Sequence, residues 1–281
     1  MYHQNNNKIN RRSKTMNKQI IITILFALVA MAGWAQVNSV STQILVIPDV
    51  HGRTFWKEAI VKYPDLPVVF LGDYLDPYAY ENITQEDALA NFKEILAFKQ
   101  ANMDKVTLLI GNHEIHYIDT YYKFGRKDTL NAEYIHQLLL EHLPLFSIAS
   151  QAVLNDKTFL FTHAGIVGPW WNKYFPDTPT DATSICNALN GKMENMETFG
   201  AFIDDALMEI SKMRRGEAEA GSCVWADLDE HKKKSAFLNG IYQVFGHTQL
   251  KRKPVIKKTF ADLDCRKAFL ITLKGDIKTI K

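Results

Sequence analysis

Short apolar runs recur along the chain, and most of them end in a polar residue beside glycine. Short runs of this kind, bounded by turn residues, predict buried strands. The five runs with polar endings are Gln43–Pro48, Val68–Leu71, Val106–Ile110, Thr158–Thr162 and Ile241–Phe245. The dipeptide Asn155-Asp156 predicts a hairpin turn between Ile148–Leu154 and the fourth run. A second hairpin is predicted around residues 274–276.

Helical spacing appears between the predicted strands. Leu89, Phe92 and Leu96 repeat at intervals of three and four, which predicts a helix over residues 85–100 with Thr84 as its N-cap. Residues 130–142 and 183–213 have similar helical patterning. Strands that alternate with helices and are followed by hairpins predict a layered α/β or α+β domain.

The first 35 residues have the pattern of a secretory signal peptide. Residues 20–32 are apolar apart from Thr23, follow several cations and no acid, and precede small residues that favour cleavage after Ala35. The run has thirteen residues, whereas a helix needs roughly 20 to span a bilayer. A buried core helix and an uncleaved anchor remain the alternatives. We expect residues 36–281 to form the mature domain, exported to the periplasm or beyond it, without a stable membrane anchor if the leader is cleaved.

Composition and charge exclude several classes of protein. Hydrophobic residues make up 47% of the 281 residues and charged residues 23%, which is typical of globular proteins and excludes a disordered or coiled-coil chain. Three cysteines are too few for a disulfide scaffold. The net charge is +2, but without the five leader cations 28 basic residues remain against 31 acidic ones. The mature chain therefore gives no electrostatic reason to expect a nucleic-acid partner.

The strand endings carry side chains that can bind metal ions. These candidate ligands are Asp49, His51, Asp73, Asn112, His163 and His247. Carboxyl ends of strands are where open sheets collect ligands. Turn chemistry favours Asp, Asn and Gly at such places but gives no reason for His. Mixed oxygen and imidazole donors suit Mn, Fe or Zn, and six donors suffice for two ions that share one carboxylate.

The order of these motifs resembles a known family. The motifs are Asp49-Val50-His51-Gly52, Gly72-Asp73-Tyr74-Leu75-Asp76, Gly111-Asn112-His113-Glu114, His163-Ala164-Gly165 and Gly246-His247-Thr248. Over roughly residues 43–250 they are similar to calcineurin-like metallophosphoesterases, above all to the phosphoprotein phosphatase branch with its bacterial members and the diadenosine tetraphosphatases. The resemblance implies an α+β fold, in which two packed β-sheets flanked by helices (α/β/β/α) carry a dimetal site at the strand ends.

The resemblance also implies a role for each matching residue. It implies that Asp49, His51 and Asp73 hold one metal ion and that Asp73 bridges to the second. It implies that Asn112, His163 and His247 complete the second ion's ligands. His113 would protonate the leaving oxygen, or stabilise it as a cation, and Asp76 would orient His113.

The implied reaction is hydrolysis of phosphate monoesters, either small phosphoesters or phosphoproteins. A hydroxide that bridges the two metals would attack phosphorus in line, without a phospho-enzyme. Two alternatives remain open: a pyrophosphohydrolase of nucleotides or dinucleoside polyphosphates, and a lapsed phosphate-binding module that keeps the fold.

The sequence differs from the family that it resembles at a position where that family binds phosphate. Pro77-Tyr78 stands where the phosphatase branch usually has Arg-Gly, so an arginine of the expected clamp is missing. We expect Arg53 to bind substrate in its place. Weaker candidates are Arg126, Arg214 and Arg215. Residues 170–240 match the family least and are predicted to form a substrate-selecting insert.

Overall fold

The computed structural model describes residues 43–119, 126–199, 203–234 and 238–280. The predicted leader, residues 1–35, lies outside these ranges. Within them the helices are α1 (Phe55–Lys62), α2 (Gln85–Ala101), α3 (Asn112–Ile118), α4 (Ala132–His142), α5 (Gly168–Tyr174), α6 (Ala182–Phe199) and α7 (Leu228–Lys234). The strands are β1 (Ile44–Ile47), β2 (Val68–Phe70), β3 (Val106–Leu109), β4 (Phe146–Ser147), β5 (Ala149–Leu154), β6 (Lys157–Thr162), β7 (Ile241–Phe245), β8 (Val255–Ile256), β9 (Phe260–Asp262), β10 (Phe269–Ile271) and β11 (Ile277–Thr279). None of the helices in this part of the chain is both long enough and apolar enough to cross a bilayer.

The first sheet has six strands in the order β11-β10-β1-β2-β3-β4. Strands β1 to β4 run parallel, and α1 and α2 connect the first three of them. Parallel neighbours need crossover connections of this kind. The carboxyl ends of β1, β2 and β3 therefore lie along one edge, and the first three polar motifs follow directly from them.

The second sheet has five strands in the order β5-β6-β7-β9-β8. Strands β6, β7 and β9 are parallel, so the motifs after β6 and β7 also lie on one edge. The predicted hairpin joins β5 to β6, and its turn residues Asn155 and Asp156 have φ of 46° and 64°. Asn and Asp tolerate this left-handed region and favour tight hairpins. The second predicted hairpin is formed by β10 and β11.

The two sheets pack face to face, which explains the apolar runs in the sequence. Alternate residues of β1 point to opposite faces. Ile44 and Val46 pack in one core with Phe159 and Val244 of the second sheet. Leu45 and Ile47 belong to the other core, which helices cover. Since both faces of the strand are buried, the run is apolar throughout. The predicted α/β/β/α arrangement of two packed sheets flanked by helices is confirmed.

The prediction of a mostly helical segment over residues 183–213 is wrong in its second half. Helix α6 accounts for the first part, but residues 203–211 contain a turn and irregular backbone and no helix, and a single 3-10 turn follows at Lys212–Arg214. The carboxylate of Asp204 accepts hydrogen bonds from the Ala206 N–H at 2.9 Å and from Lys192 at 2.8 Å. Such a side-chain bond to the local backbone competes with helix formation. By contrast, Thr84 caps α2 as predicted.

One buried carboxylate ties the ends of β2 and β3 together. Glu114, in the first turn of α3, is fully buried. It accepts hydrogen bonds from the backbone N–H groups of Gly111 and Asp73 at 2.9 Å and of Tyr74 at 2.8 Å. These donors would otherwise be buried without partners. Glu114 thus fixes the position of the Asp73 backbone relative to α3.

We predict that Glu114→Ala destabilises the protein severely. Each buried N–H group left without an acceptor costs about 1–3 kcal/mol, so the free energy of unfolding should fall by at least about 3 kcal/mol. Urea unfolding followed by circular dichroism measures the loss, with the exposed Glu217→Ala as control. A Glu114→Ala protein within about 0.5 kcal/mol of wild type, the range of ordinary surface substitutions, would contradict this role.

Candidate active site

Four predicted ligands from four different connections meet around His163. Its Nε2 atom lies 3.0 Å from Asn112 Oδ1, 3.1 Å from His247 Nδ1 and 3.4 Å from Asp73 Oδ1. All four residues are buried. We call Asp73, Asn112, His163 and His247 the His163 group. The strand ends thus place these side chains together, as the sequence predicted.

The hydrogen bonds of the His163 group point to a cation at its centre. The backbone carbonyl of Leu71 lies 2.8 Å from Nδ1 of His163 and accepts its proton, so Nε2 of the neutral ring presents a lone pair to the oxygen atoms around it. Burial lowers the pKa of His163 and keeps the ring neutral. Nδ1 of His247 faces Nε2 of His163 at 3.1 Å, and burial holds the pKa of His247 well below its usual value. Acceptors that converge without protons fit a metal ion.

A second group of donors shares Asp73 with the first. Nε2 of His51 lies 3.6 Å from Oδ2 of Asp73, and Nε2 of His113 lies 4.0 Å from the same oxygen. We call His51, Asp73 and His113 the His51 group. Nδ1 of His51 donates to the carbonyl of Leu75 at 2.8 Å, which turns Nε2 towards Asp73. Burial holds the pKa of His51 well below its usual value. The two oxygens of Asp73 thus face two different sets of imidazoles.

The carboxylate of Asp49, a predicted metal ligand, is hydrogen-bonded to the protein backbone. Both of its oxygens accept a hydrogen bond from the backbone N–H of His247, at 2.9 and 3.1 Å. It belongs to neither compact set of donors among the described residues. Its assignment as a ligand of the first metal therefore stays a prediction.

Buried negative charge gives a further reason for a cation. Asp49, Asp73 and Asp264 are all buried. Burial, together with Asp264 and Asp73, raises the pKa of Asp49 well above its usual value. Burial and Asp73 raise the pKa of Asp264 to about 7, although nearby arginines oppose the shift. Like carboxylates cannot all ionise in a closed space without compensation. Divalent metal binding supplies that compensation, and the donor set fits it.

His113 is hydrogen-bonded to the carboxylate of Asp76, which also accepts from other side chains. Nδ1 of His113 lies 2.6 Å from Oδ2 of Asp76, and Nε2 of His116 lies 2.7 Å from the same oxygen. The hydroxyl of Tyr117 donates to the other oxygen of Asp76. Burial alone would raise the pKa of Asp76, but the hydrogen bonds from the histidines outweigh it and hold the pKa well below its usual range. Asp76 therefore remains ionised and is hydrogen-bonded to His113.

The protonation of His113 depends on opposing effects. Burial lowers its pKa, but the carboxylates of Asp73 and Asp76 outweigh burial and raise the pKa above the usual value. Its backbone N–H also donates to Oδ1 of Asp73 at 3.0 Å. A histidine so placed can carry a proton near neutral pH beside a reacting group.

The backbone of the site is strained at several non-glycine residues. His51, Asp73, Asp76 and His247 have φ of 44°, 54°, 59° and 68°. Each residue in this region costs of order 1–3 kcal/mol, and such conformations cluster at functional sites. Tight turns at the strand ends thus aim the side chains into one pocket.

Glycines let the carboxylates approach the backbone closely. A Cβ atom on Gly111 would lie 2.2 Å from Oδ1 of Asp73. One on Gly246 would lie 1.9 Å from Oδ2 of Asp49. No side chain can be placed at either position without moving a predicted ligand, which explains the glycines in these motifs.

Arg53, the predicted substrate ligand, is engaged by protein acceptors. Its Nε and Nη2 atoms donate to the two carboxylate oxygens of Glu81, at 2.7 and 3.1 Å. Its Nη1 atom donates to the carbonyl of Asp49 at 3.1 Å. All three nitrogens have acceptors, so phosphate would compete with a bidentate ion pair. The role of Arg53 stays a prediction, and this geometry gives it no support.

Sequence reasoning missed several residues of the site. His116 is not among the predicted site residues, but it lies on α3 and is fully buried. His113, His116 and Tyr117 have the spacing of one helix face, a signal that could have been found once α3 was placed. Arg126 ranked among the weaker arginines, and the structure places its Nη2 atom 3.0 Å from Nε2 of His113.

Known proteins are similar to this chain in sequence. A sequence model of the calcineurin-like phosphoesterase family matches residues 42–212, more than half of the chain. The serine/threonine-protein phosphatase 6 catalytic subunit of Drosophila melanogaster is 27% identical over 132 residues, 45% of this chain and 41% of that protein. A probable serine/threonine-protein phosphatase of Encephalitozoon cuniculi is 27% identical over 133 residues, 45% of this chain and 27% of that protein. The chain therefore spans less than half the length of these relatives.

A solved structure shares the fold over most of the chain. The cold-active protein-tyrosine phosphatase of a psychrophilic Shewanella species superposes with a TM-score of 0.52 and 16% identity, covering 86% of this chain and 81% of that one. The likeness confirms the two-sheet architecture. With the ordered motifs and the match over residues 42–212, it shows that the chain belongs to the calcineurin-like phosphoesterase family.

Proposed function

We propose that this chain hydrolyses phosphate monoesters, on small molecules or on phosphoproteins, with a pair of divalent cations. One observation carries the proposal: the His163 group and the His51 group, buried apart from the half-buried His113, are metal-competent and joined through Asp73. Two cations that share a carboxylate suit the clamping of a phosphoryl group. Two of the relatives are named as serine/threonine-protein phosphatases, which supports this substrate class.

The residues that would hold the cations follow from the two groups. Asn112, His163 and His247 would bind one ion and His51 the other, with Asp73 between them. Asp49 would join His51 if its carboxylate turns from the His247 N–H. When bound, the cation pair would supply a hydroxide nucleophile near neutral pH and neutralise charge on the phosphoryl oxygens. We propose manganese, iron or zinc, because imidazole and carboxylate donors are combined here without thiolate.

His113 would protonate the leaving group. Its Nδ1–H is directed to Asp76, so Nε2 is the atom that faces the pocket. A proton carried on Nε2 would pass to the leaving oxygen as its bond to phosphorus breaks. His116 and Tyr117 fix Asp76 from the other side. The imidazole is thereby held in one orientation.

Metal analysis combined with a substrate panel tests the proposal. We expect two divalent ions per purified chain and turnover of a phosphomonoester such as 4-nitrophenyl phosphate. Hydrolysis of a dinucleoside polyphosphate alone would identify a pyrophosphohydrolase instead. Bound metal without turnover of any monoester, diester or polyphosphate would identify a binding module, and either result would overturn the proposal.

We also propose that the chain is exported with cleavage after Ala35. The apolar run of residues 20–32 and the cations before it support this. N-terminal sequencing of the protein recovered from a bacterial periplasmic fraction is expected to begin at residue 36. Recovery of the intact N-terminus in the membrane fraction would contradict cleavage.

Asp73→Asn is expected to remove metal and activity together. The substitution replaces the carboxylate shared by both groups with a neutral amide of the same shape. Metal content should fall to one ion or fewer per chain, and kcat should fall at least about 100-fold, as when a group that stabilises transition-state charge is lost. Elemental analysis and steady-state kinetics measure these effects, with the exposed Asp177→Asn as control. Wild-type metal content and activity in Asp73→Asn would refute the shared-ligand role.

His113→Ala is expected to keep the metals but lose turnover. Loss of a general acid costs typically about 10²–10⁴-fold in rate, and the loss should be larger for alkyl phosphates than for 4-nitrophenyl phosphate, whose leaving group needs less help. His142→Ala, on α4, is the matched control. If His113→Ala lost its metal instead, His113 would be a metal ligand rather than the general acid.

A further inference from the structure

Arg126 contacts both His113 of the His51 group and the ring of Tyr78. Its Nη2 atom is 3.0 Å from Nε2 of His113. Its guanidinium carbon lies 3.5 Å from the centre of the Tyr78 ring, the contact distance of a stacked pair. Tyr78 itself contacts the ring of His51, with centroids 5.0 Å apart. Arg126 is therefore held against two residues of the site, with its guanidinium beside the proposed general acid.

A second nitrogen of Arg126 has no partner among the described residues. Its Nη1 atom is buried and meets no hydrogen-bond acceptor there. A buried donor of a charged group without an acceptor is costly. A guanidinium presents parallel N–H groups that match two oxygens of a phosphate. Nη1 and Nη2 together thus form an anion-binding fork beside His113.

Other arginines around the pocket are already engaged. Arg53 is paired with Glu81 through two nitrogens. Arg214 pairs through Nε with Asp227 at 2.8 Å and donates from Nη2 to Thr248 at 2.7 Å. Of these three arginines, Arg126 alone has a buried Nη nitrogen that meets no acceptor among the described residues.

Tyr78, in the Pro77-Tyr78 pair that stands where the family usually has Arg-Gly, supports an arginine from another part of the chain. The chain has no arginine directly after Asp76. The ring at position 78 instead forms a flat surface on which a guanidinium from another part of the chain lies. Stacking leaves the edge of the guanidinium, with its N–H groups, free to bind in its own plane.

We propose that Arg126, positioned by Tyr78, binds the phosphoryl oxygens of the substrate. This assignment rests on the proposed function, because it places the phosphate beside His113. A phosphoryl group held by Nη1 and Nη2 takes Nη2 away from Nε2 of His113. Nε2 accepts from Nη2 and carries no proton while that contact lasts. Once released, it would take up a proton from solvent and pass it to the leaving oxygen, so phosphate binding and the general acid are coupled through one side chain.

Binding of inorganic phosphate to the metal-loaded full chain tests this assignment without requiring turnover. Arg126→Ala should weaken phosphate binding, measured by titration calorimetry, about 10- to 100-fold, the range for loss of charge-assisted hydrogen bonds. Metal content should be unchanged, and KM for a phosphomonoester should rise. Arg126→Lys keeps the charge without the fork and should also bind phosphate more weakly. The exposed Arg252→Ala is the control.

Variants of Tyr78 separate positioning from direct binding. Tyr78→Phe keeps the ring and should bind phosphate within about twofold of wild type. Tyr78→Leu removes the stacking surface and should weaken binding several-fold. If Tyr78 acts through Arg126, the double variant Tyr78→Leu/Arg126→Ala should bind no more weakly than Arg126→Ala. Fully additive losses would refute the positioning role.

The outcomes distinguish this inference from the proposed function. Wild-type phosphate affinity in a folded, metal-loaded Arg126→Ala or Arg126→Lys protein would overturn the assignment, even if the wild type is an active phosphatase. Weakened phosphate binding in these variants supports Arg126 as the phosphate ligand, even if the wild-type chain turns over none of the esters tested.

Discussion

The site depends on one buried carboxylate that holds two strand ends together. Glu114 accepts hydrogen bonds from the N–H groups of Gly111, Asp73 and Tyr74. The end of β2 and the start of α3 are thereby locked in one geometry. In that geometry the side chain of Asp73 projects between the imidazoles of two groups. Neither group could share a carboxylate if these two connections moved independently.

Electrostatics favours a bound cation, and a strained backbone shapes the site that would hold it. The fold buries carboxylates whose pKa values are raised by burial and by each other, such as Asp49, beside imidazoles that burial keeps neutral, such as His163 and His247. Four residues of the pocket also adopt left-handed backbone conformations. A packed two-sheet core over-determines these turns. The hydrophobic layers therefore stabilise a pocket whose polar groups would not assemble without them.

Part of this arrangement can be predicted from sequence because strands obey simple rules. An apolar run followed by Asp, His or Asn and glycine predicts a strand end, and parallel strands bring such ends to one edge. That reasoning locates Asn112, His163 and His247 around one point, as the structure does. It fails where a side chain's partner lies far away in sequence. The pairing of Arg53 with Glu81 is set by a contact that no local pattern encodes.

Helix α3 shows how one short element organises the chemistry. Its first turn supplies Asn112 to the His163 group and Glu114 to the strand ends. His113, His116 and Tyr117 lie on one helix face and converge on Asp76. A shift of α3 along its axis would therefore disturb the His163 group, His113 and Asp76 together. Because these side chains belong to one short helix, their positions relative to one another are set together.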